Sequence, residues 1–337
     1  MRSLAELLSA PRDPAAPVAF GREGVQTWAD FTEQVEGLAK RLEGRGAAWL
    51  VDCSDSFAFA VALFGVARSG GVAWLAPNRQ PGTLRDLAAG CDGTLRDEPS
   101  EPQPAATRIV LDPLGARAPS SGAVLHSDAT VLRLFTSGTA GQAKEIPKAW
   151  RHLDEVAELE ERFGSALAPD ARVFATAPHQ HLYGLLFRVL WPLAAGRPFQ
   201  AESLLHPEEL LPRLAEHEAS ILAATPAHLR RLTQREELAA LRGRLQRVFS
   251  SGGPLPAETA HAVERAVGIA PVEVFGSTET GGVATRSQIR SEAPSPAWQT
   301  LAPVLVRVDP ASGCLRVASP FVSVGTERPD GTLELDM

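Results

Sequence analysis

Between Ala47 and Leu75 the chain spells out one complete structural unit. Residues 47–51 read as a buried strand. An apolar helix follows, capped by Ser54 or Asp55 and stopped at the Arg68-Ser69-Gly70-Gly71 run, and residues 72–75 read as a second buried strand. A strand, a crossover helix and another strand make a parallel pair, because antiparallel neighbours need only a short turn. The rhythm returns further on, with strands predicted at 131–136, 173–175, 221–224, 245–250 and 272–275 and helices between them, for example 153–163 and 207–216. This dictates an α/β fold with largely parallel sheets and helices on their faces.

Other segments fit around that frame. Residues 18–20 and 25–28 flank a GREG turn and read as a hairpin. A helix is predicted from Thr27 or Asp30 to Leu42, with Phe31, Val35, Leu38, Ala39 and Leu42 at helical spacing. The N-terminal MRSLAELLSAPRD reads as a short amphipathic helix, not a signal peptide, since it has no long apolar core. Residues 77–82 read as a loop and 97–122, rich in Pro, Ala, Ser and Gly, as a surface connection. From Trp298 the texture changes to short strands with PASG and RPDG turns, a small β-rich piece. At 337 residues the chain exceeds what one core serves, so three subdomains are expected: about 1–130 (βα), 131–290 (βα) and 291–337 (small β).

Composition excludes several classes. A net charge of −7 speaks against a nucleic-acid partner, which needs a basic face, but not against a nucleotide, which needs only local positive potential. No stretch approaches the roughly 20 apolar residues of a membrane span. Cys53, Cys91 and Cys314 are odd in number and form no CxxC pair, so free thiols in a reducing cytoplasm are expected rather than disulfides or a zinc site.

Three segments carry candidate chemistry, each following a predicted strand. In TSGTAGQAK, residues 136–144, Gly138 and Gly141 allow close main-chain approach, Thr136, Ser137 and Thr139 add hydroxyl donors, and Lys144 adds charge. That set suits a phosphate, although a flexible turn with a chance lysine would look the same. It is not a Walker A loop: Lys144 follows Ala143, and Glu145 stands where Ser or Thr would be. In FGSTETGG, residues 275–282, Phe275 offers a flat face to a base, Thr278 a donor and Glu279 a ligand for Mg²⁺, against the plain alternative of a strand-end turn. In SSGGPLP, residues 250–256, the glycines would let main chain lie against an adenine edge. His179 and His181 form an HxH run better read as pocket lining than as a metal site, which needs further ligands. The remaining histidines read as surface or packing residues, and Glu158, Glu160 and Glu161 as a solvated helix face.

Taken together and in this order, the segments resemble the core motifs of the adenylate-forming superfamily: acyl-CoA synthetases, nonribosomal peptide synthetase adenylation domains and luciferases. TSGTAGQAK is similar to that family's TSGTTGxPK, departing at Ala140 and Ala143. SGGPL at 251–255 resembles SGGAPL, FGSTE resembles YGSTE, and PHQHLYG at 178–184 resembles PxxHxxG. ATPAHLRRL at 224–232 resembles the strand-and-helix segment lining the acyl pocket. The likeness covers about 15–337 and implies an acyl-CoA-synthetase-like N-terminal domain. By it, Thr136, Ser137, Gly138, Thr139, Gly141 and Lys144 hold the β- and γ-phosphates of ATP, and Gly252, Gly253, Phe275 and Gly276 frame the adenine. Thr278 meets the α-phosphate, Glu279 binds Mg²⁺, and His181 sits by the acid's carboxylate. Asp336 in LELDM falls at the ribose-gripping aspartate, with Leu335 in place of the usual glycine.

The reaction so implied is in-line attack of a carboxylate on the α-phosphorus of ATP, giving acyl-AMP and pyrophosphate, then transfer to CoA or an acyl carrier protein. The family continues past the ribose aspartate into a hinge and a lid domain bearing a lysine; this sequence ends one residue later. The expectation is therefore a chain trimmed at the hinge, without the lid, that binds ATP and acid but adenylates poorly. The polar HQH run favours an aryl or hydroxyaryl acid, with a medium-chain fatty acid next. A catalytically silent nucleotide-binding module and a carrier-protein docking scaffold are the readings from other classes.

Overall fold

Thr27 Oγ1 accepts the Asp30 N–H (3.2 Å) and the Asp30 carboxylate accepts the Thr27 N–H (2.8 Å), a reciprocal box that starts the Trp28–Leu42 helix. Asp55 Oδ1 takes the N–H groups of Phe57 and Ala58 (2.8 and 2.9 Å) and starts Ser56–Arg68. That second helix is apolar all round and buried along nearly its whole length, as a helix inside a core must be. A computed structural model describes residues 3–97, 110–136, 144–289, 297–327 and 333–336. The chain divides into two units, Met1–Asp154 and Glu155–Met337.

In the first unit the sheet runs Val110–Leu111, Gly93–Leu95, Ala48–Val51, Val72–Leu75, Thr130–Thr136, Lys144–Ala149. All neighbours are parallel except the last pair. The predicted hairpin is present as Pro17–Gly21 against Gly24–Thr27. Three expectations are corrected here. Pro81 and Gly82 do not lie in a loop: Pro81 is the first residue of the Pro81–Ala88 helix, where its missing N–H costs nothing. The supposed surface connection contains the Val110–Leu111 strand, paired with Gly93–Leu95. The N-terminal helix is 3₁₀, Leu4–Ser9, with Leu4, Ala5, Leu7 and Leu8 buried.

The second unit carries strands in the order Gln299–Thr300, Gly281–Ser287, Val272–Ser277, Leu245–Ser250, Ser220–Ala224, Arg172–Ala175, Phe199–Gln200. The last five are parallel, and the first two add antiparallel. Four antiparallel strands, Leu305–Val308, Leu315–Ser319, Leu333–Asp336 and Thr326–Glu327, form the small terminal sheet. Val317, Phe321 and Val322 of this region pack with Val283, Ala284, Leu301 and Val304. The predicted solvated acidic face is only partly so. Glu161 is exposed, but Glu160 accepts from Arg197 (Nη1 2.5 Å, Nη2 3.0 Å) and from the Trp191 indole (2.9 Å).

One histidine makes the fold pH-sensitive. His152 is buried, and its Nδ1 accepts the Ala149 N–H (3.0 Å), which requires the neutral ring. Burial, then Arg151 and Lys148, push its pKa down from 6.5 to about 4. The unfolded chain therefore binds the proton first. The stability is fully present above pH 6.5 and is lost as pH falls toward 4, by about 3 kcal/mol at about 1.4 kcal/mol per unit. Urea titrations at pH 7 and 4.5 should show most of that loss, about 2.5 kcal/mol, in the parent protein. It should be much smaller in His152→Asn, whose amide oxygen accepts the same N–H without titrating. Equal losses would remove His152 as the cause.

Candidate active site

Four parallel strands of the second unit end side by side, and the segments leaving their carboxyl ends enclose a cavity of about 480 Å³. Ala177 and Pro178 follow Arg172–Ala175, Thr225 follows Ser220–Ala224, and Ser251 and Gly252 follow Leu245–Ser250. Gly276, Ser277 and Thr278 come from the end of Val272–Ser277. Open α/β sheets bind ligands at this edge, because the strand-to-helix loops there are free to vary while the ladder holds their ends. The rest of the wall is largely apolar, including Leu159, Leu182, Leu186 and Phe187.

The PHQHLYG segment is fixed by a close approach of main chain. A Cβ on Gly184 would stand 2.0 Å from the Pro178 carbonyl oxygen, so only glycine lets the helix start so near the turn. The His181 carbonyl accepts the Leu185 N–H (2.8 Å), and its side chain makes no capping bond. The His181 ring faces the cavity, and partial burial there lowers its pKa, leaving a neutral imidazole at pH 7. From Leu185 to Leu190 the helix opens into a π segment, which turns Leu186 and Phe187 to the wall, before Trp191–Ala195 resumes the α form and Gly196 ends it at φ 78°. The Tyr183 hydroxyl donates to the Ala224 carbonyl (3.3 Å), and burial raises its pKa well above 10.

The FGSTETGG segment is a hairpin, not a strand running into a helix. Val272–Ser277 turns into Gly281–Ser287, and the turn is held by Ser277 N–H on Thr280 Oγ1 (3.0 Å) and Thr280 N–H on Ser277 Oγ (3.2 Å). Gly276 packs on the Gly281 carbonyl so tightly that a Cβ would lie 2.2 Å from it. Thr278 lines the cavity. Glu279, next in the turn and half-buried, accepts the Ser323 N–H on its carbonyl (3.2 Å). Phe275 does not line the cavity: its ring lies 5.6 Å from that of Trp298, over which the Arg286 guanidinium sits at 4.4 Å.

The structure thus brings His181, Gly252, Gly276 and Thr278 to one cavity. Gly253 is exposed beside it, with nothing within 4 Å of where a Cβ would stand. Thr136 and Lys144 belong to the first unit and are ladder partners at the end of an antiparallel pair. An antiparallel strand thus begins at Lys144, whereas a helix follows the lysine of a Walker A loop. Ser137, Gly138, Thr139 and Gly141 lie outside the described residues. Asp336 closes the Leu333–Asp336 strand, opposite Arg316.

Sequence reasoning misses Glu155. It is 1% exposed, lines the cavity, and its Oε2 accepts the Gly282 N–H at 2.6 Å. The available signal is a glutamate on the same helix face as Val156, Leu159 and Phe163, all buried. Among the described residues no group of three or more His, Cys, Asp or Glu could hold a metal, and no helix is long and apolar enough to cross a membrane.

Residues 8–311 match the family of AMP-binding enzymes. A 4-coumarate–CoA ligase of Rhodobacter capsulatus is 34% identical over 202 residues, covering 58% of this chain and 46% of that protein. A sulfoacetate–CoA ligase of Cupriavidus necator is 29% identical over 191 residues, covering 57% and 36%. The chain thus spans about half or less of these curated relatives. The ATP-bound structure of MatB from Rhodopseudomonas palustris shares the fold, with a TM-score of 0.82 at 22% identity over 98% of this chain and 75% of that one.

Proposed function

Because this chain belongs to the AMP-binding enzyme family, we propose that it binds ATP and a carboxylic acid and serves the formation of an acyl-adenylate, for transfer to CoA. The supporting observation is the cavity at the strand ends, where His181, Gly252, Gly276 and Thr278, drawn from three separate motifs, converge. In the reaction a carboxylate oxygen forms a bond to the α-phosphorus while the bond to the β-phosphate bridge breaks, and pyrophosphate leaves. Both reactants are anionic, so the protein's work is to hold them in line and offset charge.

In this reading Thr278 donates to the α-phosphate, and Thr136 and Lys144, with Ser137, Gly138, Thr139 and Gly141, hold the β- and γ-phosphates. Gly252, Gly253, Phe275 and Gly276 frame the base, and Asp336 takes the ribose. Neutral His181 donates to the acid's carboxylate. In this reading Glu279 would hold Mg²⁺ by one carboxylate, in keeping with a metal that takes one or two carboxylates alongside substrate phosphate oxygens. Bound there, Mg²⁺ would offset charge on the phosphates.

An aryl or hydroxyaryl acid is the preferred substrate class, supported by the apolar wall and by the relative named for 4-coumarate. A cytoplasmic setting suits the free thiols Cys53, Cys91 and Cys314.

Calorimetric titration with MgATP tests the reading. Lys144→Ala and Glu279→Ala should each weaken ATP by about tenfold to a hundredfold, the worth of one charge-assisted contact. Unchanged affinity in both variants would overturn the assignment.

A further inference from the structure

We infer that Trp298 is a positioning residue of the nucleotide site: its indole holds the Phe275 ring in the orientation that stacks on the base. The inference rests on the reading in which Phe275 frames that base.

Side chains alternate along a strand, so Val274 lines the acid cavity while Phe275, the next residue, points to the other face of the sheet. There the Phe275 ring packs against the cluster that includes Val283, Leu301 and Val304. Such packing keeps water away but sets no angle, because the hydrophobic effect is non-directional. Trp298 supplies the angle. Its ring lies 5.6 Å from that of Phe275 with 50° between the planes, a tilted contact at a separation where aromatic pairs attract.

Trp298 is itself fixed from behind. Glu273 and Arg286 are partners in the ladder between their two strands. Glu273 is 3% exposed and accepts Arg286 Nε at 2.7 Å and Nη2 at 3.3 Å. Its oxygens also accept the Gln288 amide at 2.7 Å and the Leu255 N–H at 3.3 Å. A carboxylate so fully engaged holds the guanidinium fork in one place. From there the guanidinium carbon stands 4.4 Å from the centre of the Trp298 ring. The indole is clamped between that cation and Phe275. A stacking platform ordered before the base arrives loses less freedom on binding. Trp298 is also 40% exposed, so it can be cut back without opening a cavity in the core.

Calorimetric titration of the full chain with MgATP tests this in the parent, Trp298→Ala, Trp298→Phe, Phe275→Ala and the variant with both alanines. Trp298→Ala should weaken MgATP about threefold to tenfold, the worth of an aromatic pair, and Trp298→Phe should restore most of the loss. Phe275→Ala should weaken it about tenfold or more, the worth of one base stack. Adding Trp298→Ala to Phe275→Ala should then cost nothing further. Parent-like affinity in Trp298→Ala overturns the inference, and so does a Trp298→Phe protein as weak as Trp298→Ala. A double variant weaker than Phe275→Ala by the full Trp298→Ala factor means that the indole acts independently of Phe275, which overturns the positioning role. Parent-like affinity in Phe275→Ala, or a parent that binds no MgATP, overturns the reading of the base site instead, and the inference with it.

Discussion

A Glu160→Leu protein should lose about 3 kcal/mol of unfolding free energy, the lower end of the range for breaking a buried ion pair. The Arg197 side chain is 6% exposed and that of Glu160 26%, so the substitution strands a guanidinium that has little water to turn to. Arg197 Nη1 and the Trp191 indole lose their acceptor together, and Nη2 keeps only the Gly164 carbonyl at 3.4 Å. The pair ties the Glu155–Phe163 helix to the segment around Gly196, and that helix also carries Glu155 and Leu159 to the cavity. Guanidinium titrations of the single variant and of Glu160→Leu with Arg197→Met check this. The double variant should recover much of the loss, because removing both charges leaves nothing buried and unpaired. A double variant as unstable as the single one would mean that packing, not charge, holds the two segments.

Gly184→Ala should have the largest effect on the site. Its Cβ would meet the Pro178 carbonyl oxygen at 2.0 Å, its carbon at 2.5 Å and the Ala177 oxygen at 2.9 Å. These are backbone atoms and cannot rotate away, so either the 177–181 turn or the helix start must move. Overpacking of this kind costs about 1–3 kcal/mol. The turn that moves also carries Ala177, Pro178 and His181, so the acid's affinity should fall with the stability. Gly253→Ala is the matched control, since nothing lies within 4 Å of its Cβ position. Thermal unfolding with and without acid checks both, and a Gly184→Ala protein as stable as the control would refute the packing argument.

The elements legible in sequence are those whose signals are local. Thr27 with Asp30, Asp55 before an apolar run, and the strand–helix–strand rhythm all state their structure within a few residues. What escapes depends on position in the sheet. Lys144–Ala149 contains Pro147 and alternating charge, poor strand material, yet it sits at the edge of its sheet, where a missing N–H is tolerated. Gly281–Ser287 opens with two glycines that read as a turn, and pairing with Val272–Ser277 makes them strand. Pro81 reads as a breaker and acts as a starter. At the site, the motifs mark His181, Gly252, Gly276 and Thr278, because glycine-rich strand ends are visible in one dimension. Glu155 is not visible: in sequence it is one acid among several on an amphipathic helix, and only burial against Gly282 separates it from Glu158 or Glu161.

The stack of Arg286, Trp298 and Phe275 has an optical consequence. Of the chain's six tryptophans, Trp28, Trp49, Trp150 and Trp191 are buried, whereas Trp298 is 40% exposed. A collisional quencher such as iodide reaches Trp298 first, since it is the most exposed of the indoles. Any ligand that settles on Phe275 competes for the space beside that indole. The protein thus carries an intrinsic fluorescent reporter, and loss of iodide quenching would register occupancy without a label.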